Sequence, residues 1–159
     1  MFLVCEYIFG HLDEGLLKKE AGREEDPRAE LRSAIRTFME AVDRVHRYLL
    51  LMYREYGHLI PEHRTYFMRR ESAVATVLEK IVRAGVNQGV LECASPRLVA
   101  LDIIILGHML ALKRWALKDE FDVDTFIELQ TDLLLRALEK REPSGEEGLL
   151  AAGKVEGGW

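Results

Sequence analysis

With 159 residues, 48% of them hydrophobic and 31% charged, the chain has the composition of one globular domain that buries roughly 70% of the surface its unfolded form exposes. A net charge of −5, with Lys and Arg interleaved among Asp and Glu, argues against a grip on nucleic acid, which needs a clustered basic excess. The 2 cysteines, Cys5 and Cys93, show neither CxxC nor Cys/His spacing, which excludes a disulfide framework and a zinc knot and points to a reducing cytoplasm.

The apolar start MFLVCEYIFG lacks a basic flank and a small-residue cleavage site, so it reads as a helix and not as a signal. Helical spacing predicts a first helix from about Phe2 to Glu20 with Leu3, Tyr7, Ile8, Leu12 and Leu16 on one stripe. Asp26 can cap the next helix, and Pro27 suits its first position because the missing N–H would be unpaired there anyway. Behind this cap Leu31, Ile35, Phe38, Met39 and Val42 form a core stripe. Helical character continues from about His46 to His58, but the apolar face moves to Tyr48, Leu49, Met52, Tyr53 and Tyr56, which predicts a bend near Asp43 to Val45. Gly57 and Pro61 punctuate the chain before a helix over about Pro61 to Gln88, with Phe67, Val74, Val77, Leu78, Ile81 and Val82 inward and Gly89 as its stop.

Ser95 with Pro96 repeats the cap-then-proline signal and opens an apolar helix running to about Leu117. Its stretch from Leu98 to Leu112 is too short for a membrane span and carries Asp102 and His108, so a buried helix is expected and no membrane partner. Asp122 or Asp124 caps the last helix, which carries Phe126, Ile127, Leu129, Leu133, Leu134 and Leu138. After Arg141 the sequence is rich in Gly and Glu, predicting a mobile tail over 142–159 behind one helical domain over 1–141. The expected fold is all-α, an antiparallel bundle of about six helices without solenoid repeats.

From Asp26 to Leu138 the order of caps and breaks is specific: a D-P-R helix start, then Tyr53, Arg54 and Glu55 leading to Pro61 and Glu62. A glycine-framed close follows from Gly85 to Leu91, then the Ser-Pro start, an aromatic helix end at Trp115 and the finish DLLLRAL. This succession resembles the C-terminal half of TetR-family repressors, the ligand-binding and dimerisation domain of those regulators. The helix-turn-helix header of that family is not among these residues; residues 1–20 read as a remnant of the helix that would connect to it, and DNA would be reached only through such a header.

The resemblance implies a homodimer built on the last two helices and an apolar cavity between the others. For the interface, Gly107 and Ala111 stand four apart and would admit a close partner helix, alongside Leu101, Ile104, Leu133 and Leu134. For a ligand pocket the candidates are Phe38, Tyr48, Met52, Tyr56, Phe67, His108, Met109 and Trp115, aromatic and Met side chains that suit a small apolar or amphipathic molecule. The same side chains would equally serve as ordinary core, and His108 could bond a ligand or merely a neighbour such as Asp102. Glu55 and His58 offer half of a metal site without a second half, so no metal and no cofactor are expected. The absence of G-x-S-x-G, H-E-x-x-H and phosphate-cradling glycine loops argues against an enzyme. The alternatives are a helical homodimeric interaction protein with a filled core or, further off, a small helical-bundle enzyme or metal carrier.

Overall fold

The computed structural model describes residues 2–12, 16 and 26–140 and shows six α-helices: α1 (Phe2–Leu12), α2 (Pro27–Glu55), α3 (Pro61–Asn87), α4 (Pro96–Leu112), α5 (Arg114–Leu117) and α6 (Val123–Ala137). The architecture is all-α, and the tail expected after Arg141 lies outside the described residues. Its axis is α2, against which α1, α3, α4 and α6 all pack. At ~1.5 Å per residue the 29 residues of α2 run about 43 Å, enough to be shared by two layers of neighbours.

Local chemistry sets the helix starts. The Asp26 carboxylate accepts from the Arg28 amide at 2.9 Å, the Ser95 hydroxyl from the Leu98 amide at 3.3 Å, and the Asp122 carboxylate from the Thr125 amide at 2.7 Å. Pro27 and Pro96 follow the first two caps, where the lost N–H costs nothing. α3 ends at Gly89, whose φ of 71° is the left-handed conformation that a side chain would resist. The chain then doubles back: the Glu92 amide donates to the Leu138 carbonyl at 2.8 Å, and Leu91 and Glu139 form an isolated antiparallel bridge that ties the α3–α4 connection to the end of α6.

The core follows the three-four spacing of α2, burying Leu31, Ala34, Ile35, Phe38, Met39, Val42, Val45, Leu49 and Met52. Helical structure is continuous through Asp43 to Val45, where the shifted apolar face had predicted a bend. On α1 the buried stripe is Cys5, Ile8, Phe9 and Leu12; of the predicted stripe Ile8, Leu12 and Leu16 are buried while Leu3 and Tyr7 are exposed, and residues 17–20 of the expected helix lie outside the described residues. The helix is apolar nearly all round, so periodicity alone left its inward face undefined. α1 is held to α2 by Cys5 against the Met52 sulfur at 3.6 Å, and to α3 by the Tyr66 hydroxyl donating to Glu6.

α4 breaks at Lys113, so the helix expected to reach Leu117 is two pieces, α4 and the single turn α5. Gly107 lets α4 close on α2, because a Cβ there would lie 2.5 Å from the Phe38 ring. α6 is fastened to the first half of α2 by ion pairs: Arg32 with Glu128 and Asp132, and Arg36 with Glu128 and Asp124. These pairs are largely exposed, so they orient α6 more than they stabilise it; its buried Phe126, Ile127 and Leu135 carry the packing. Among the described residues no helix is long and apolar enough to cross a membrane.

Candidate ligand cavity

Toward the second half of α2 the core is not filled. An inner space of about 20 Å³, measured as the room open to the centre of a water molecule, lies among Ile8, Phe9 and Leu12 of α1, Val42, Val45 and Leu49 of α2, Phe67 and Val74 of α3, and Ile104 of α4. That is room for about one water. Phe38, Glu71 and His108 complete its wall. Phe67 and Glu71 also border an adjoining outer space of about 230 Å³, lined further by Met52, Tyr53 and Tyr56.

Three helices deliver the polar groups. His108 faces inward from α4 because it shares a stripe with Ile104 and Ala111, and only 6% of it is exposed. Its Nδ1 lies 2.7 Å from the Tyr53 hydroxyl of α2, a bond that a proton from either partner can fill. Burial pulls the imidazole down to about pKa 4, so the ring is neutral at pH 7 and offers one donor and one acceptor. Burial also raises the Tyr53 phenol, with the nearby Glu71 charge adding to the effect. Glu71 comes from α3, where it follows the cavity residue Phe67 by one helical turn, and burial pushes its carboxyl above the ordinary range. Among the described residues it has no hydrogen-bond or ion-pair partner.

Aromatic rings surround these groups. Phe67 packs against Phe9 and Tyr56 at centroid distances of 5.3 and 5.9 Å. Two guanidinium groups cover rings of this cluster, Arg64 over Tyr56 at 5.6 Å and Arg70 over Phe9 at 5.5 Å. The cavity is thus apolar with a few fixed polar atoms, the usual chemistry of a small-molecule site.

Of the pocket residues predicted from sequence, Phe38, Met52, Tyr56, Phe67 and His108 line these two spaces. Tyr48 does not: it stacks on Tyr7 at 4.5 Å on the outside of α1 and α2. Trp115 does not either, being 70% exposed on α5 beside Lys113 because the break at Lys113 turns it away from the core. Met109 is half-buried beside the core and borders neither space. Sequence reasoning missed Glu71 altogether and placed Tyr53 only on an apolar stripe. The signal for Glu71 was its position, one turn beyond Phe67 and three residues before Val74 on the inner face of α3.

The predicted interface residues divide. Leu101 and Leu133 are exposed, at 40% and 62%, and with Leu98, Ile105 and Leu129 they leave apolar rows on α4 and α6 uncovered in the single chain. Leu134 is half-buried against the core. Ile104, Gly107 and Ala111 are turned the other way: Ile104 lines the cavity, Gly107 meets Phe38, and Ala111 is 1% exposed. Gly107 therefore admits α2 of the same chain, and with Ala111 also buried the small pair leaves no surface for a partner helix. Glu55 and His58 lie 3.8 Å apart at the surface, and among the described residues no group of three potential ligands could hold a metal.

Comparison with known proteins agrees with this architecture. A family model described as the tetracyclin repressor-like C-terminal domain matches residues 24–138. No curated protein matches the chain. Among solved structures, a bacterial regulatory protein of the TetR family from Rhodococcus RHA1 superposes with a TM-score of 0.77 at 16% identity, covering 89% of this chain and 73% of that one. The TetR-family transcriptional regulator PfmR from Thermus thermophilus gives 0.73 at 21% identity over 87% of this chain and 75% of its own. AibR, solved in complex with isovaleryl coenzyme A and operator DNA, gives 0.62 at 18% identity over 87% and 72%. At these identities the likeness to the solved structures concerns the fold.

Proposed function

Because the chain belongs to the family of tetracyclin repressor-like C-terminal domains, we propose that it is the effector-binding and dimerisation part of a TetR-type transcriptional regulator. The observation that carries this reading is the pair of adjoining spaces between α1, α2, α3 and α4, apolar but furnished with Glu71, Tyr53 and His108. A small apolar or amphipathic molecule suits such walls. AibR, which shares the fold, was solved with isovaleryl coenzyme A, and this supports assigning a small-molecule role to the same architecture.

The inner space is too small to take such a molecule unchanged, so a ligand must push the walls apart. Ile8, Phe9 and Leu12 make α1 one of those walls, and α1 is the helix that would be displaced. A ligand then acts as a signal if it binds one placement of α1 more tightly than the other. The net charge of −5 does not favour direct contact of these residues with DNA. The uncovered rows Leu98, Leu101 and Ile105 on α4 and Leu129 and Leu133 on α6 suit a second copy of the chain, giving an isologous interface.

Light scattering on the purified chain is expected to return a dimer mass, and the double variant Leu101→Glu with Leu133→Glu a folded monomer; a wild-type monomer at micromolar concentration sinks the dimer. For the ligand, thermal unfolding with apolar and amphipathic compounds is expected to show stabilisation of about 2.7 kcal/mol at a hundred times Kd. The second reading, a homodimeric interaction module without a ligand, is favoured by the smallness of the inner space. It gains if native mass spectrometry finds no bound small molecule and no compound shifts the melting temperature.

A further inference from the structure

The described polar side chains that face the two spaces are Glu71, Tyr53, Tyr56 and His108, and no Lys or Arg is among the described lining residues. We infer that the outer space receives the positively charged end of a lipophilic amine, with Glu71 as its counter-ion, the Tyr53, Tyr56 and Phe67 rings around it, and the apolar remainder in the inner space. This inference rests on the cavity being a ligand site and names the class of ligand it takes.

Three observations carry it. Glu71 is a half-buried carboxylate without a hydrogen-bond or ion-pair partner among the described residues, and burial raises its pKa. An ammonium group compensates its charge, whereas a carboxylate or phosphate placed there would meet a like charge. His108 cannot serve as a cation for an anionic ligand, since burial holds it neutral at pH 7. Next, three aromatic rings and the Met52 thioether line the outer space with that one carboxylate. Ring faces attract cations within about 6 Å, most strongly where water is excluded. Arg64 already makes this contact with Tyr56 at 5.6 Å.

The nearby arginines do not reverse the argument. Arg64 directs its guanidinium to the Gly57 and Leu59 carbonyls, and Arg70 lies over Phe9; neither lines either space. Finally, the inner space is bordered by aliphatic and phenyl side chains apart from Glu71 and His108, so once its walls part it takes hydrocarbon. The two spaces together ask for a molecule with one charged end and one apolar end.

The test is titration calorimetry of the full chain at neutral pH with three compounds of equal tail: octyltrimethylammonium, octanol and octanoate, each below its micelle concentration. The ammonium compound is expected to bind about tenfold tighter than octanol, as a partly buried cation–carboxylate and cation–ring contact implies, with octanoate weakest. Glu71→Gln, which keeps the shape, is expected to bring the ammonium affinity down to that of octanol, and a cooperative melt with a helical circular-dichroism spectrum like that of the wild type shows that the variant is folded. Octanoate binding as tightly as the ammonium compound, or ammonium affinity untouched by Glu71→Gln, overturns the cation assignment while octanol binding leaves the cavity reading standing. Failure of all three compounds to bind overturns both.

Discussion

Along the first three turns of α2, Leu31, Ala34 and Ile35 are sealed on every side, α6 is clasped across Arg32 and Arg36, and just beyond them α4 closes on Phe38 at Gly107. From Val42 to Met52 the same stripe of the same helix borders unfilled space, and its neighbours include a buried neutral histidine and a carboxylate that has no partner among the described residues. The first half shows what helix packing does when every position is used for stability. The second keeps the helical pattern but leaves room, with Glu71 and His108 on the walls of that room. A helix that must both anchor a fold and answer to a small molecule can divide the two tasks along its length.

The contrast can be broken most forcefully in the sealed half. Ile35→Ala removes atoms from a fully buried site with no slack, and is expected to cost about 4 kcal/mol in urea unfolding. Leu49→Ala, beside an existing space, should cost clearly less than that because fewer packing contacts are lost. Equal losses at the two sites would show that the halves are packed alike.

A second measurement sharpens the contrast through pH. His108 in the fold has a pKa of about 4 against an ordinary 6.5, so between these values the unfolded chain binds more protons than the folded one. Its contribution is therefore complete above pH 6.5 and is lost as the pH falls toward 4. The loss approaches ~3 kcal/mol over that window. His108→Phe should remove this part of the slope, which is read as the difference between wild type and variant because carboxylates titrate in the same range. An unchanged slope would mean that the ring is hydrated and the region more open than described. The smallest effect is a gain: Val45→Ile adds one methyl toward the inner space and should be neutral or stabilise by up to about 1 kcal/mol. The enlargement Ala34→Val, two carbons in the sealed half, should destabilise by about 1–3 kcal/mol. Both are read from the same denaturation curves.

Most of the fold was legible because its signals are local. Asp26 with Pro27, Ser95 with Pro96, and Gly89 each solve a problem at a helix end that few other residues solve, so their positions transfer directly to the structure. The core stripe of α2 was legible because its opposite face is charged. α1 and α4 lack that contrast, and so Leu3 was expected inside and Gly107 with Ala111 outward, both in error of facing and not of helix. The cavity was harder to foresee for a different reason. A void is the difference between the volumes of many side chains brought together from four helices, and no window of sequence holds that sum. Glu71 escaped notice since a charged residue on a helix is by default a surface residue, and only its neighbours on α3 place it inside. Tyr48 and Trp115 were drawn in by residue type, which marks what could line a pocket but not which side of the helix looks at it.

The bond from the Glu92 amide to the Leu138 carbonyl joins the segment leading into α4 to the last turn of α6, the two helices whose outer rows are left bare. Since both atoms belong to the backbone, this clip is indifferent to the side chains around it; only proline at position 92 would delete it. The spacing between the two bare rows is therefore insulated from mutational drift at the rows themselves. Their residues can be exchanged for others, changing which surface they recognise, without changing the frame on which they are displayed.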